Sequence, residues 1–95
     1  MTGSTEVVDN PERSHYELRV DGRLVGFILY RTAGDVVTMV HTEIEPEDEG
    51  HGLGSILAAG ALDDVRARGL KVRPLCPFVS LYIQRHPEYA DLVAA

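Results

Sequence analysis

The 95-residue sequence predicts a single α+β domain with the element order β-β-β-α-β-α-α. The stretch from His15 to Ile44 alternates or runs β-branched, and two tight-turn signals break it. From Leu53 onward apolar residues recur at helical spacing instead. After Gly69 the chain returns to a short alternating run, so the helix links two strands. A crossover of that length makes those strands parallel and the connection right-handed. The sheet is therefore expected to be mostly antiparallel, with one parallel βαβ crossover.

Residues 1–13 read as a flexible tail, with Gly3, Ser4, Asn10 and Pro11 and few apolar groups, ahead of one domain over 14–95. His15-Tyr16-Glu17-Leu18-Arg19-Val20 alternates and ends at Asp21-Gly22, a strong hairpin signal. Leu24 to Tyr30 is nearly continuous in apolar residues, the pattern of a strand buried on both faces. Ala33-Gly34-Asp35 supplies the next turn, and Val36 to Ile44 the third strand. Leu53, Ile56, Leu57, Gly60, Ala61 and Val65 form one helical stripe, closed by Gly69. Lys71 to Leu75 is the fourth strand. Pro77 opens a second helix on which Phe78, Leu81 and Tyr82 share a face. Pro87 ends it, and Glu88 to Ala94 forms a last helical segment with Tyr89, Leu92 and Val93 inward.

Composition excludes several functions. A net charge of −6 argues against a general binder of nucleic acid or anionic membrane, which needs a basic surface. No run approaches the length of a membrane helix. The polar, acidic start predicts no secretory signal. Cys76 is the one cysteine, so no intrachain disulfide forms, and a free thiol suits a reducing, cytoplasmic setting. None of His41, Glu43, Cys76 and His86 stands at a recognised metal-ligand spacing, so no metal is expected.

Glu49-Gly50-His51-Gly52-Leu53-Gly54-Ser55 lies between the third strand and the long helix. Glycines ahead of a helix N-terminus let an anion approach unpaired N–H groups and the positive end of the dipole. Without Gly-Lys-Ser/Thr this is not a P-loop. Ser55 stands where the dinucleotide fingerprint needs Gly or Ala. Glycines that merely permit tight turns would look the same.

Gly52-x-Gly54 opening a helix after a long strand resembles the coenzyme A diphosphate loop of the GNAT superfamily of N-acetyltransferases. His41-Thr42-Glu43, Pro74-Leu75-Cys76-Pro77-Phe78, Tyr82 and Arg85-His86-Pro87-Glu88-Tyr89 resemble its small, single-domain (YjdJ-type) branch. The likeness spans about residues 14–92. It implies a minimal GNAT-like fold with a splayed strand pair that admits the pantetheine arm. It further implies transfer of an acetyl group from acetyl-CoA, the cosubstrate, directly to an amine acceptor, either a small amine or a protein lysine. No nucleic acid or membrane partner is implied, and the expected state is a monomer or weak homodimer. The chain departs from the larger superfamily at Glu49, where Gln or Arg is usual, and lacks the N-terminal helices. The first implies that this position supplies no cationic contact to phosphate, and the second implies a shallow, open site.

On this resemblance Ile44, Gly50, His51, Gly52, Leu53, Gly54, Ser55, Cys76, Pro77 and Arg85 hold the coenzyme. Arg66, Arg68, Lys71 and Arg73 are candidates for its 3′-phosphate. Catalytic candidates are Glu43, His41, Cys76 and Tyr82. Two-residue periodicity puts Val37, Met39, His41 and Glu43 on one strand face, so either His41 or Glu43 can take the amine proton. Cys76 stands as acyl-accepting nucleophile, proton donor or packing residue. Tyr82 matches the tyrosine that protonates the departing thiolate, and also fits a core aromatic. Five acids in the seven residues from Glu43 to Glu49 would flank the site and attract a cationic amine. The alternative function is a non-catalytic acyl-CoA-binding or regulatory domain.

Overall fold

The structure is a computed structural model, and it describes residues 4–95. Five strands form one sheet in the order β1 (Thr5–Asn10), β2 (His15–Val20), β3 (Arg23–Ala33), β4 (Val36–Ile44) and β5 (Lys71–Pro74). The first four strands are antiparallel meander neighbours, and β4 pairs parallel to β5 through the crossover helix α1 (Leu53–Ala67). α2 (Pro77–Arg85) follows β5, and a 3₁₀ segment, Pro87–Leu92, closes the chain. The domain is therefore α+β, mostly antiparallel, as the sequence predicts.

The expected flexible tail is corrected over residues 5–10, which form the edge strand β1; residues 1–3 lie outside the described residues. Packing explains the strand. Val7 faces α1 so closely that a Cβ at Gly60 would lie 2.5 Å from Val7 Cγ2. Asp9 accepts a hydrogen bond from Tyr30 Oη at 2.5 Å and an ion pair from Arg68 at 3.1 Å. Burial and that bond push the Tyr30 phenol up to about 12. At the other end of the strand, Ser4 N–H donates to Asp21 Oδ1 in the β2–β3 turn. That turn has φ of 52° at Asp21 and 83° at Gly22, the backbone an Asp-Gly hairpin needs.

The core lies between one face of the sheet and the helices. Leu18, Val25, Ile28 and Met39 from the strands meet Leu57, Leu62 and Val65 from α1. The α1 stripe falls on Leu57, Ala58, Ala61, Leu62 and Val65; Ile56 is exposed. On α2 the inward pair is Val79 and Ile83, spaced i, i+4. Phe78, Leu81 and Tyr82 do share a face, but it borders a groove, and of the three Tyr82 also packs against the core. In the last segment Tyr89 and Leu92 are buried, whereas Val93 bridges Val72 on the outer edge of β5.

The helices cover one face only, so β3 is not buried on both faces as expected. Phe27 and Leu29 are half-buried on the open side. There Phe27 stacks on His15, with ring centroids 4.1 Å apart. Glu17, buried on the same face, takes hydrogen bonds from Arg19 at 2.8 Å and Asn10 at 2.9 Å. The Arg19 contact above all holds its carboxyl below the usual range.

A bulge in β4 sets the geometry of the site. Leu29 pairs with His41 but Tyr30 pairs with Met39, leaving Val40 as an extra residue. One extra residue exchanges the faces of everything beyond it. Met39 and Val37 point into the core, and beyond the bulge Thr42, partner of buried Ile28, returns to that side. His41 and Glu43 project from the open face. The expectation that Val37, Met39, His41 and Glu43 share one face is thereby corrected; His41 and Glu43 still share one with each other.

Candidate active site

A cleft of about 350 Å³ opens at the first turn of α1. Its walls are Thr42 and Ile44 of β4, the loop residues Asp48, Glu49 and Gly50, the segment Gly52–Ser55, and Phe78 of α2. Gly52 is the N-cap, with φ of 74°, and no side chain hydrogen-bonds to that end of the helix. The amides of Leu53, Gly54 and Ser55 thus begin a 15-residue helix facing the cleft, where its dipole favours an anion. A Cβ at Gly54 would sit 2.7 Å from Phe78 Cζ, so the glycine lets that ring lie against the first turn of α1.

The other wall is an open strand edge. β4 and β5 pair from Val36–Lys71 to Met39–Pro74. Met39 O then accepts both Leu75 N–H and Cys76 N–H at 3.0 Å, and the ladder ends. β4 runs on to Ile44 while β5 turns into α2. Glu45 N–H donates to Val25 O at 2.8 Å. By antiparallel alternation, the Glu43 and His41 main chains therefore bond to β3, and those of Thr42 and Ile44 face the open side. The two strands part here and leave a slot for an added extended chain.

Cys76, the N-cap of α2, is buried, 3% exposed, at the point where β4 and β5 part. Its Sγ lies 3.2 Å from Thr42 Oγ1, and Thr42, not Cys76, lines the cleft. Pro77 is the first residue of α2 and lies beside the cleft rather than in its wall. His51 is exposed between the two cleft-lining glycines. A second groove of about 100 Å³ continues from Ser55 and Phe78 to Tyr82, Arg85 and His86. Tyr82 stacks on His86 at 3.9 Å, and burial raises its phenol, with Glu88 and Asp63 adding to the shift. Tyr82 lines this second groove and not the main cleft.

On the open face His41 Nε2 lies 2.9 Å from Glu43 Oε2. Glu43 and Glu45, with Phe27, Leu24 and Pro46, border a further pocket of about 100 Å³, which shares Ile44 with the main cleft. Asp48 would oppose an anion in the cleft, but Arg23 grips both of its oxygens at 3.2 Å.

Three candidates for a 3′-phosphate are committed elsewhere. Arg66 binds Asp91 at 2.9 Å, Arg68 bridges Asp64 and Asp9, and Lys71 donates to Asp91 O. Arg66 and Arg68 lie at the far end of α1, about 20 Å from its first turn at 1.5 Å per residue. Arg85 lines the second groove, beside the cleft. Sequence reasoning placed Asp48 only in the acidic run flanking the site, and assigned no site role to Thr42 or Phe78. Only Phe78 carried a usable signal, an aromatic on the first turn of a helix that follows the splayed strand.

A family model described as GCN5-related N-acetyl-transferase matches residues 15–92. Among solved structures, the chain resembles a ribosomal-protein-alanine N-acetyltransferase from Brucella melitensis biovar Abortus 2308, with a TM-score of 0.59 and 23% identity. That likeness covers 85% of this chain and 61% of the other, and it supports the fold. No curated protein matches the sequence. With the family model spanning β2 to β5 and the cleft, the chain belongs to the GCN5-related N-acetyltransferase family.

Proposed function

We propose that this protein transfers an acetyl group from acetyl-CoA directly to an amine acceptor. The observation that carries the reading is the uncapped first turn of α1, opening onto a cleft whose opposite wall is the unpaired edge of β4. On this reading the diphosphate binds the amides of Leu53 and Gly54. The pantetheine arm lies along Ile44 and Thr42, exchanging main-chain hydrogen bonds as an added strand would. From Ile44 back to Met39 is about 17 Å of extended chain, room for such an arm. The nucleotide end follows the second groove toward Arg85, and Tyr82 forms part of that wall.

The acetyl group then rests where the strands part, with His41 and Glu43 on the other side of β4. An amine with a pKa near 10 is only about one part in a thousand neutral at pH 7. A positioned base that removes its proton contributes roughly 10²–10⁴-fold. Glu43 or His41 supplies that base, directly or through one water. The carboxylates of Glu43 and Glu45 beside Phe27 favour a cationic acceptor, a small amine or a lysine side chain. Cys76, unpaired and buried, suits a reducing cytoplasmic setting.

Coenzyme A at a hundred times its Kd stabilises the native state by about 2.7 kcal/mol. In a domain of this size that raises the Tm by roughly 10–20 °C. Thiol release from acetyl-CoA is then followed over a panel of amines and basic peptides. Turnover with at least one acceptor is expected. Stabilisation with no thiol release on any acceptor supports the non-catalytic coenzyme-binding reading instead. No stabilisation removes both.

A further inference from the structure

The structure gives the Thr42 side chain a position that the acetyl-transfer reading leaves without a role. It is the one cleft-lining side chain with a hydrogen bond to the buried thiol, Oγ1 to Cys76 Sγ at 3.2 Å. It stands three residues beyond Met39, the point at which β4 and β5 separate. The bulge at Val40 turns its side chain to the helix side, into the cleft. Cys76 itself is sealed away. It is 3% exposed, and its own N–H is fixed on Met39 O at 3.0 Å. Thr42, and not the sulfur, lines the cleft.

We propose that Thr42 is a catalytic hydroxyl, donating its hydrogen bond to the thioester sulfur as it departs, and that Cys76 is the positioning residue that orients it. A threonine hydroxyl has one proton and two lone pairs. If Cys76 S–H donates to Oγ1, the threonine proton is free to point into the cleft. With Cys76 as acceptor, that proton would be turned to the interior. The inference rests on the acetyl-transfer reading.

The step balances without an acyl-enzyme. The amine nitrogen attacks the thioester carbon, forming the C–N bond. The C–S bond breaks with its electron pair on sulfur. The proton lost by the amine leaves through the base on the open face. Sulfur departs as a thiolate, whose ordinary pKa lies near 8.5, and takes one proton back from water. Thr42 keeps its own proton throughout. Its donation to the developing negative charge is the interaction that strengthens in the transition state.

The test is a cycle of Thr42→Val, Thr42→Ser, Cys76→Ala and Cys76→Ser, each checked for an unchanged melting curve before assay. Thr42→Val is near-isosteric and should lower kcat about 10–100-fold, the worth of one hydrogen bond to a charged group, while coenzyme affinity moves less than about threefold. Thr42→Ser should recover most of the rate. Cys76→Ala should cost about 3–10-fold alone and nothing further in the Thr42→Val background, because its effect passes through the hydroxyl. Cys76→Ser, which keeps a donor, should stay near wild type. Unchanged kcat in Thr42→Val overturns the proposal. So does loss of all turnover in Cys76→Ala, or acetyl mass on Cys76, since either makes the sulfur a nucleophile.

One readout needs no turnover. Cys76 is the one cysteine in the chain, so its S–H stretching band is unique. Loss of the acceptor in Thr42→Val should move that band to higher frequency, and an unmoved band overturns the proposed orientation. If the wild type binds coenzyme A but releases no thiol with any acceptor, the acetyl-transfer reading fails and the catalytic role of Thr42 fails with it. Wild-type turnover that ignores Thr42 sinks this proposal alone.

Discussion

Gly54 and Gly52 stand two residues apart and serve the cleft for different reasons. Gly52 adopts φ of 74°, a conformation that costs an L-residue about 1–2 kcal/mol, and open space lies where its Cβ would go. Gly54 is helical, and the obstacle is the Phe78 ring, 2.7 Å from the missing Cβ. Gly52→Ala should therefore lower stability in urea unfolding by about that amount. Gly54→Ala should leave stability nearly unchanged, because a helix gains up to about 1 kcal/mol from Ala and an exposed ring can swing aside. The displaced ring should instead weaken coenzyme A binding about tenfold in a calorimetric titration. An equal stability loss for both substitutions would contradict this division of roles. The glycines were legible in the sequence because their signal is local. Thr42 was not, since two-residue periodicity carries no mark of the extra residue at Val40, and that residue alone decides which side chains of His41-Thr42-Glu43 meet the cleft.

Among the elements, β1 shows how a strand escapes a reading based on composition. Thr5–Asn10 contains two adjacent apolar residues, Val7 and Val8, and no turn signal of its own. Its stability comes from partners distant in sequence: the β2 ladder, the Asp9 contacts with Tyr30 and Arg68, and Val7 pressed against Gly60. The meander over 15–44 and the crossover helix were legible because alternation, Asp21-Gly22 and the helical stripe are all short-range. The contact at Gly60 gives a sharp test. In an exposed helix Gly→Ala is stabilising by up to about 1 kcal/mol. Here the new Cβ would lie 2.5 Å from Val7 Cγ2 and 2.6 Å from its Cβ, so the strand itself must shift. Gly60→Ala should therefore destabilise by about 1–3 kcal/mol, the range for overpacking. In a Val7→Ala background the same change should become neutral or stabilising. Urea unfolding of the four proteins measures both, and a stabilising effect in the wild type would mean that β1 does not pack on α1.

At the scale of the whole molecule, charge is the difficulty the fold has to resolve. The chain carries −6, and residues 1–50 hold 11 of its 15 acids, yet the proposed ligand is a polyanion. Two of those acids, Asp48 and Glu49, line the cleft. The family resemblance pointed to Arg66, Arg68, Lys71 and Arg73 for relief, but Asp91, Asp64 and Asp9 hold the first three at the other end of the domain. Local relief comes from the first turn of α1 and from Arg23, which reaches from β3 to clamp Asp48. Arg23→Gln should free that carboxylate to repel the diphosphate, raising the Kd for coenzyme A about tenfold at low ionic strength. Asp48→Asn in the same chain should restore the affinity, because it removes the charge that Arg23 had masked. Both effects should shrink above about 0.5 M salt, where screening acts over only a few ångströms. Calorimetric titrations of wild type, Arg23→Gln and the double variant at two salt concentrations measure this. A double variant that binds no better than Arg23→Gln would show that Arg23 acts by shaping the loop, or by contacting the ligand, rather than by neutralising Asp48.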